Sequence, residues 1–538
     1  MIDYKVFIPC AGLGSRLGLK YNKTLTTVGQ KPVITHIIDK FAPNIEIVIA
    51  LGYDGDNVRQ VVDFLYPNRK ITYVEINPYQ GEGSGLGLTL LQCKDHLQSP
   101  FIFCPCDTIV TDDIPPPTFN WMGFAHTEDG YPDIEYRSFR KEDINHTITE
   151  ICSKEVKGPC LYIGLCGISH YDIFWKSMEE GQDVGSIESG EVYGLKHLLK
   201  QTIYAHPFHW FDTGSPNSLS DTRKHFPPIV RANILPKDDE AIWFIGNDVI
   251  KFSINSSFIV NRVTRAHKFL DGYVPEIFSY SSNLYAYKKQ EGEVLSNKLT
   301  LNRFNKLLKH LVAFWNPDTS EPMEYFTELC TKFYKDKTYN RVRQYLKTFE
   351  QIDQPENING VDVPSIWTVL DAINWKWLCI GFPTPRFHGD LHFENILVGN
   401  HDNFTFLDWR QDFAGTLERG DLYYDLAKLN HGILISHELI DKNLFSHSIS
   451  NNVVTFDFLR KNISVELEQR LKEFIIEWNC DYRKVQYLTY LIFLNIAALH
   501  HYPYGLLLFH LGKLGLWQLL EKDLEKDLEK DLEKDKAV

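Results

Sequence analysis

The chain has 538 residues, with 56 Lys and Arg against 70 Asp and Glu, a formal net charge of −14, and 43% hydrophobic residues. That length predicts more than one domain, each with enough apolar content for a real core. The acidic balance argues against a nucleic-acid partner but does not exclude small anionic substrates, because a nucleotide site makes its own local positive potential.

Lys5 to Cys10 reads as a buried strand entered directly from Met1, so no signal peptide is expected. It feeds Ala11-Gly12-Leu13-Gly14-Ser15-Arg16-Leu17-Gly18, a glycine-rich turn whose backbone N–H groups can face phosphate oxygens. The third glycine arrives at Gly18 where GxGxxG needs it at Leu17, which argues against a dinucleotide fold. Asn22-Lys23-Thr24-Leu25 follows, and Gly29-Gln30-Lys31-Pro32-Val33 opens a helix. Glu46 to Tyr53 predicts a second strand, with a helix near Asn57 to Leu65, and Ile71 to Ile76 a third strand. Gly83-Ser84-Gly85-Leu86-Gly87 precedes a helix, Phe101 to Asp107 is a strand ending on an acid, and Trp210-Phe211-Asp212-Thr213-Gly214 presents a second acid before a turn.

The pattern AGxGSRx…NKxLxxVxxKPVI resembles the nucleotidyltransferases that join an NTP to a sugar 1-phosphate or to phosphocholine. The resemblance implies an α/β, Rossmann-like domain in which Ala11, Gly12, Gly14, Ser15 and Gly85 bind the nucleotide. It implies that Arg16 holds the leaving phosphates, Lys23 stabilises the crowded α-phosphate, and Asp107 and Asp212 ligate Mg²⁺, a hard ion suited to oxygen donors. Lys154 falls where relatives place a lysine for the acceptor phosphate; a solvated surface lysine is the plainer reading of it.

Phe226-Pro227-Pro228 punctuates the chain, and a domain boundary is expected there. Ile242 to Phe252 has a hairpin pattern with Gly246-Asn247-Asp248 at its tip, Leu284 to Tyr287 a strand pattern, and Arg303 to Leu378 a helical region. Then comes His388-Gly389-Asp390-Leu391-His392-Phe393-Glu394-Asn395. A strand follows into Leu407-Asp408-Trp409, and after it Gly420-Asp421-Leu422-Tyr423-Tyr424-Asp425. Phosphoryl transfer needs a base to position the nucleophile and metal-holding groups to neutralise phosphates, and this spacing offers both.

The segment resembles the aminoglycoside phosphotransferase/choline kinase family, which implies a bilobal, protein-kinase-like α+β domain. On that resemblance Asp390 orients and deprotonates a hydroxyl, Asn395 and Asp408 hold Mg²⁺, and Lys251 grips the α- and β-phosphates of ATP. Two departures stand out: no glycine-rich loop precedes the hairpin, and Asn261 to Leu270 contains no glutamate to pair with the lysine, Thr264 or Arg265 occupying that face. Asp421 and Asp425 are expected to support the loop, and His392 and Glu394 to pack or face solvent.

Tyr487 to Leu499 is the most apolar stretch, but Thr489 and Asn495 interrupt it and it is too short to span a bilayer, so a buried helix is expected. The ten cysteines show no paired spacing and Cys104-Pro105-Cys106 is not a CxxC, so core thiols in a reducing cytoplasm are expected. The tail repeats Glu-Lys-Asp-Leu from Glu521, with i,i+3 ion pairs helping a solvated helical extension and self-association as the alternative.

The expected organisation is a nucleotidyltransferase domain over 1–228, a small-molecule kinase domain over 229–520 and a charged helical tail over 521–538. The two resemblances together imply consecutive chemistry in the supply of precursors for surface glycans. The kinase would make a phosphate monoester from ATP and an amino alcohol or sugar, and the transferase would couple it to a second NTP, CTP or UTP. No nucleic acid and no membrane are expected as partners, and homo-oligomerisation stays open. The alternative is that one half is a degenerate nucleotide-sensing module regulating the other.

Overall fold

The computed structural model describes residues 3–125, 136–153, 156–228, 238–316 and 323–536. The chain forms two compact units, one of residues 1–259 with 279–287 and one of residues 260–278 with 288–538.

The first unit is built on a nine-stranded sheet. Its parallel part consists of β1 (Lys5–Cys10), β2 (Glu46–Leu51), β3 (Ile71–Glu75) and β4 (Phe101–Phe103), linked through α1 (Val33–Ile38), α2 (Gly55–Leu65) and α3 (Leu86–Cys93). β1 and β2 are almost wholly buried, as continuous apolar runs in a sheet covered on both faces should be. From β1 the chain steps outward through β2 to β3, then crosses to place β4 on the other side of β1. The carboxyl ends of β1 and β4 therefore flank a topological switch point, where an open α/β sheet leaves a crevice for ligands.

Beyond β4, after the short β5 (Thr108–Val110), come the mixed strands β6 (Asn120–Ala125), β7 (Ser138–Lys141), β8 (Ile148–Ile151) and β9 (Cys160–Ile168). α4 (Tyr171–Glu180), α5 (Glu191–Leu198) and β10 (Ile203–Pro207) complete this side. β11 (Trp210–Asp212) pairs with β5, and α6 (Pro216–His225) follows with a Ser215–Ser218 capping box at its start.

The hairpin β12 (Glu240–Ile245) and β13 (Asp248–Ser253) turns at Gly246, φ +60°, and continues into a sheet with β14 (Leu284–Lys288). It belongs to the first unit. Trp243, Ile250, Phe252, Leu284 and Ala286 share one hydrophobic core with Val6, Leu25 and Ile49. The Trp243 indole donates to Thr27 Oγ1 at 3.0 Å, and the Phe244 amide to the Gln30 carbonyl at 2.7 Å. The expected division at 228 thus does not coincide with the compact units, because the hairpin's apolar face is buried against the preceding domain.

The second unit takes in most of α7 (Ser256–Lys268) and is mainly helical: α8 (Leu301–Trp315), α9 (Lys337–Thr348), α10 (Leu422–Leu434), α11 (Tyr482–Ala497) and α12 (Tyr504–Lys536). The expected helical region is interrupted by a hairpin, β15 (Glu356–Ile358) and β16 (Val361–Val363), turning on Asn359 and Gly360, both with positive φ. That Asn-Gly pair is the favoured chemistry for a two-residue turn. β17 (Ile396–Val398) and β18 (Phe404–Phe406) pair after the His388–Asn395 loop.

α11 is the buried helix expected at 487–499, packed against α10 and α12. Thr489 and Asn495, which broke its apolar run, bond inside: Asn430 donates to Thr489 Oγ1 and Asn495 Nδ2 to Thr338 Oγ1, both at 3.1 Å, while the buried Asn495 Oδ1 has no partner among the described residues. The charged tail is not a separate element but the end of α12, and its Asp523 accepts from Arg483 at 2.5 Å and from the Tyr487 hydroxyl at 2.7 Å. Among the described residues no helix is long and apolar enough to cross a membrane. All ten cysteines are buried free thiols.

Candidate functional site

The first cluster lies at the switch point of the first unit. Ala11 follows β1, and the loop it opens is exposed at Gly12, Ser15 and Arg16. Gly14 has φ +61° and caps a short turn over Ser15–Leu17, a conformation that favours glycine. A Cβ at Gly14 would press on the Lys23 side chain at 3.2 Å, so the turn and the lysine are in contact.

Lys23 is presented by Asn22, which is fully buried. Its amide nitrogen donates to the Cys10 and Tyr53 carbonyls, each at 2.8 Å, and its amide oxygen accepts from the Thr24 N–H at 3.1 Å. Asn22 thereby ties the ends of β1 and β2 to the lysine segment, a positioning role that the motif contained but did not reveal.

Lys23 Nζ meets Asp107 Oδ2 at 2.5 Å. Burial acts to raise the Asp107 pKa, but the Lys23 ammonium, helped by Arg16, holds it below the usual carboxylate range. Burial likewise opposes the charge on Lys23, yet Asp107 and then Cys106 more than reverse that, and the lysine stays charged.

The position of Gly214 shows how the cluster closes. A Cβ there would lie 3.1 Å from Asp107 Oδ2, 3.2 Å from Asp212 Oδ1 and 3.6 Å from Arg16 Nη2. Residues separated by almost two hundred positions therefore surround one point. Asp212 is oriented by the Gly214 amide at 3.0 Å and by the Tyr136 hydroxyl, which donates to Oδ2 at 2.7 Å. No sequence signal pointed to Tyr136. Gly85 immediately precedes α3 as its N-cap, where a Cβ would meet the Ile187 carbonyl at 2.6 Å, so close backbone packing is one reason for glycine there. Lys154 lies outside the described residues.

Among the described residues no three His, Cys, Asp or Glu side chains gather as a metal-ligand set. Asp107 and Asp212 offer two carboxylates beside one another, which fits Mg²⁺, an ion that keeps waters and takes further oxygens from substrate phosphates.

The second cluster lies in the second unit. Asp425, buried on α10, accepts from the His388 amide at 2.8 Å, the Gly389 amide at 2.7 Å and the Trp315 indole at 3.0 Å, and so fixes the start of the loop. Burial pushes its pKa up to about 6. Asp421 acts one step back, on the segment that leads to the loop, accepting from the Phe382 amide at 2.8 Å and the Tyr334 hydroxyl at 2.6 Å.

Asp390 meets Lys428 Nζ at 2.7 Å. Burial acts to raise the Asp390 pKa, but Lys428 and then His392 hold it well below the ordinary value. Asn395 Nδ2 donates to the Asp390 backbone oxygen at 2.9 Å and to Asp390 Oδ2 at 3.2 Å. It also approaches His392 Nε2 at 3.1 Å, so His392 stands beside Asp390 instead of serving only as packing or surface.

Asp408 has φ +54°, a left-handed conformation uncommon outside glycine. Its Oδ1 meets Arg262 Nη1 at 2.5 Å. The face of α7 expected to carry Thr264 or Arg265 thus presents two arginines with different jobs. Arg262 pairs with Asp408, while the buried Arg265 donates to the Phe387 and Arg410 carbonyls and lies 3.8 Å from the Phe387 ring centroid. Asn395 spends its Nδ2 on the loop, so its amide oxygen is the atom it offers a cation. Lys251 is buried on β13 of the first unit, opposite Ile242, whereas Asp390, Asn395 and Asp408 belong to the second.

Residues 6–132 match the family of MobA-like NTP transferase domains. Over 255 residues, 45% of its length, the chain is 26% identical to the bifunctional protein GlmU of Methanocaldococcus jannaschii and spans 59% of that protein. Among solved structures it is similar to a nucleoside-diphosphate-sugar pyrophosphorylase from Vibrio cholerae RC9, at 13% identity and TM-score 0.35, over 41% of this chain and 99% of that one. It is also similar to the inositol-1-phosphate CTP transferase from T. maritima, at 12% identity and TM-score 0.34, over 43% of this chain and 99% of that one. The segment similar to an NTP transferase domain is the one that carries the glycine-rich turn, Lys23 and Asp107.

Proposed function

We propose that the first unit is a nucleotidyltransferase acting on a small phosphate monoester of the sugar-phosphate kind. The observation that carries this reading is the convergence of Arg16, Asp107 and Asp212 around Gly214, with Lys23 seated on Asp107. In the reaction a phosphate oxygen of the monoester bonds to the α-phosphorus of the NTP, the bond from that phosphorus to the bridging oxygen breaks, and pyrophosphate leaves. Arg16, on the exposed turn, binds the departing phosphates. Lys23 offsets the charge gathering on the α-phosphoryl oxygens. Asp107 and Asp212 would hold Mg²⁺, which when bound supplies Lewis-acid neutralisation of the phosphates. Tyr136 keeps Asp212 turned toward the site. The base on the NTP is read as cytosine or uracil, and Lys154 as the partner of the acceptor phosphate.

For the second unit we infer a small-molecule kinase that makes the monoester. The γ-phosphorus of ATP forms a bond to the acceptor hydroxyl oxygen, its bond to the β,γ-bridging oxygen breaks, ADP leaves, and the hydroxyl proton passes to Asp390. Asn395 and Asp408 would hold the metal ions that neutralise the phosphates. Support comes from Asp390 lying ionised within reach of Asn395 on a loop pinned by Asp425. The product would be an NDP-activated precursor for glycan decoration, made in a reducing compartment that suits ten buried thiols.

A second reading is favoured by one observation: Asp408 is already matched by Arg262. On that reading the second unit senses nucleotide and regulates the first. One experiment separates the two. The full chain is incubated with ATP, Mg²⁺ and a panel of alcohols and sugars, ADP is followed, then each NTP is added and pyrophosphate is followed. ADP formation that depends on an acceptor supports the kinase; ATP that alters pyrophosphate release without being consumed supports the sensor.

A further inference from the structure

The surroundings of Asp390 carry an uneven charge. Lys428, on α10, contacts its carboxylate directly and is itself buried. Arg410 packs its side chain over Gly389, where a Cβ would lie 2.7 Å from Arg410 Cδ. Lys337, at the start of α9, has its ammonium 4.4 Å from the Phe333 ring centroid, and the Arg410 guanidinium lies 4.9 Å from the same centroid. Arg341 follows Lys337 by one turn on the same face of α9. Four cationic side chains thus gather beside one loop whose acid is Asp390. Their crowding is felt at Lys337, whose pKa burial, then Arg410, Lys428 and Arg341, push well below the ordinary value.

Lys428 already has Asp390 as its anion, whereas Lys337, Arg341 and Arg410 crowd one another, and a bound anion offsets such like-charge crowding. An acceptor hydroxyl must lie against Asp390 to be phosphorylated, so these cations are the acceptor's neighbours. A quaternary ammonium would need aromatic faces and carboxylates. Here the Phe333 ring, stacked on Phe413 at 4.3 Å, is already approached by Lys337 and Arg410. Resting on the kinase reading of the second unit, we propose that its acceptor is an anionic hydroxy compound, a carboxylate or phosphate ester whose charged group is held by Lys337, Arg341 and Arg410. Choline-like amino alcohols are thereby disfavoured as acceptors.

The test uses the full chain with ATP and Mg²⁺ and acceptors paired by skeleton: glycerol with glycerate and with glycerol phosphate, a hexose with its uronate and with its 6-phosphate, and choline alone. The expected result is a kcat/KM at least about tenfold higher for the anion of a pair, with the carboxylate and phosphate arms telling which group is preferred. Lys337→Met and Arg341→Gln should raise the acceptor KM about tenfold and leave the KM for ATP unchanged. Neutral acceptors or choline used as well as the anions would overturn the proposal while leaving the kinase reading intact. A rise confined to the KM for ATP would overturn it too, by assigning the cations to the nucleotide. If nothing in the panel is phosphorylated, calorimetric titration with glycerate and with the hexose 6-phosphate separates the failures. Binding lost in Lys337→Met keeps the anion site and discards the kinase, and no binding overturns both.

Discussion

Both units set a lysine against the acid at the centre of a candidate site, and they differ in what surrounds the pair. In the first, Lys23 and Asp107 are joined by a second carboxylate, Asp212, and the cluster opens onto an exposed turn. In the second, Lys428 and Asp390 are joined by further cations, and the other acid, Asp408, has its own arginine. The first arrangement suits a cation shared with several phosphate oxygens. The second is short of negative charge at one acid and matched at the other. The same ion-pair chemistry is thus tuned by its third and fourth neighbours, and those neighbours decide what ligand each site lacks.

The largest expected effect breaks the first site. Asp107→Asn, or Asp212→Asn, should lower pyrophosphate release by on the order of a thousandfold while leaving acceptor-dependent ADP formation unchanged; parallel assays of the two products check it. Asp390→Asn should do the reverse, lowering ADP formation by about a hundredfold, a general-base contribution, with pyrophosphate release from a supplied monoester intact. Should Asp390→Asn keep full kinase turnover on an accepted substrate, the loop has been misassigned.

Arg262→Leu sharpens the comparison at Asp408. Removing the arginine frees the carboxylate for a cation, so the Mg²⁺ concentration needed for half-maximal ADP formation should fall severalfold if Arg262 competes with the metal. An unchanged Mg²⁺ requirement would show that the pair is purely structural.

Much of the first unit was legible because its signals are local. β1, β2 and the glycine-rich turn are continuous in sequence, and the hairpin from Glu240 to Ser253 shows its alternation and its Gly246 turn. The residues that complete the sites were not, because tertiary packing delivers them. Tyr136 reaches Asp212 from the residues just before β7, Lys428 reaches Asp390 from the second turn of α10, and Arg262 reaches Asp408 from α7. No spacing rule connects positions 390 and 428. Asn359-Gly360 is a different case, since the turn signal was present inside a stretch whose helical pattern outweighed it. The hairpin's own allegiance was hidden for a physical reason: an amphipathic sheet does not announce which neighbour will bury its apolar face.

A smaller effect separates the units by pH. In the second unit burial lowers His388 to about 4, His437 to about 3 and His500 to about 4, so each stays neutral when folded. An unfolded chain takes up those protons below about 6.5, so their contribution to stability is present above that pH and is lost as pH falls toward 4. Asp425, pushed up to about 6, acts in the opposite sense, its contribution being lost as pH rises through that value. The first unit sets His36, lowered to about 4, against Glu191, raised to about 7. Hydrogen exchange followed peptide by peptide between pH 7.5 and 5 should therefore show α10 and the His388 loop losing protection before β1 and β2. Simultaneous loss would contradict this. The smallest effect belongs to the tail: Asp523→Ala should cost no more than about 1 kcal/mol in a denaturant titration, as partly exposed ion pairs do.

The central claim is that two reactions reside at two separate clusters, and mixing two disabled chains tests it most directly. Asp107→Asn and Asp390→Asn are each supplied with ATP, Mg²⁺, an accepted hydroxy compound and the second NTP, first alone and then together. Each alone should fail to make the nucleotide-activated product, the first accumulating free monoester and the second accumulating none. The mixture should make the product and release pyrophosphate. A mixture as inactive as its parts, or either variant losing both partial reactions, would contradict the account.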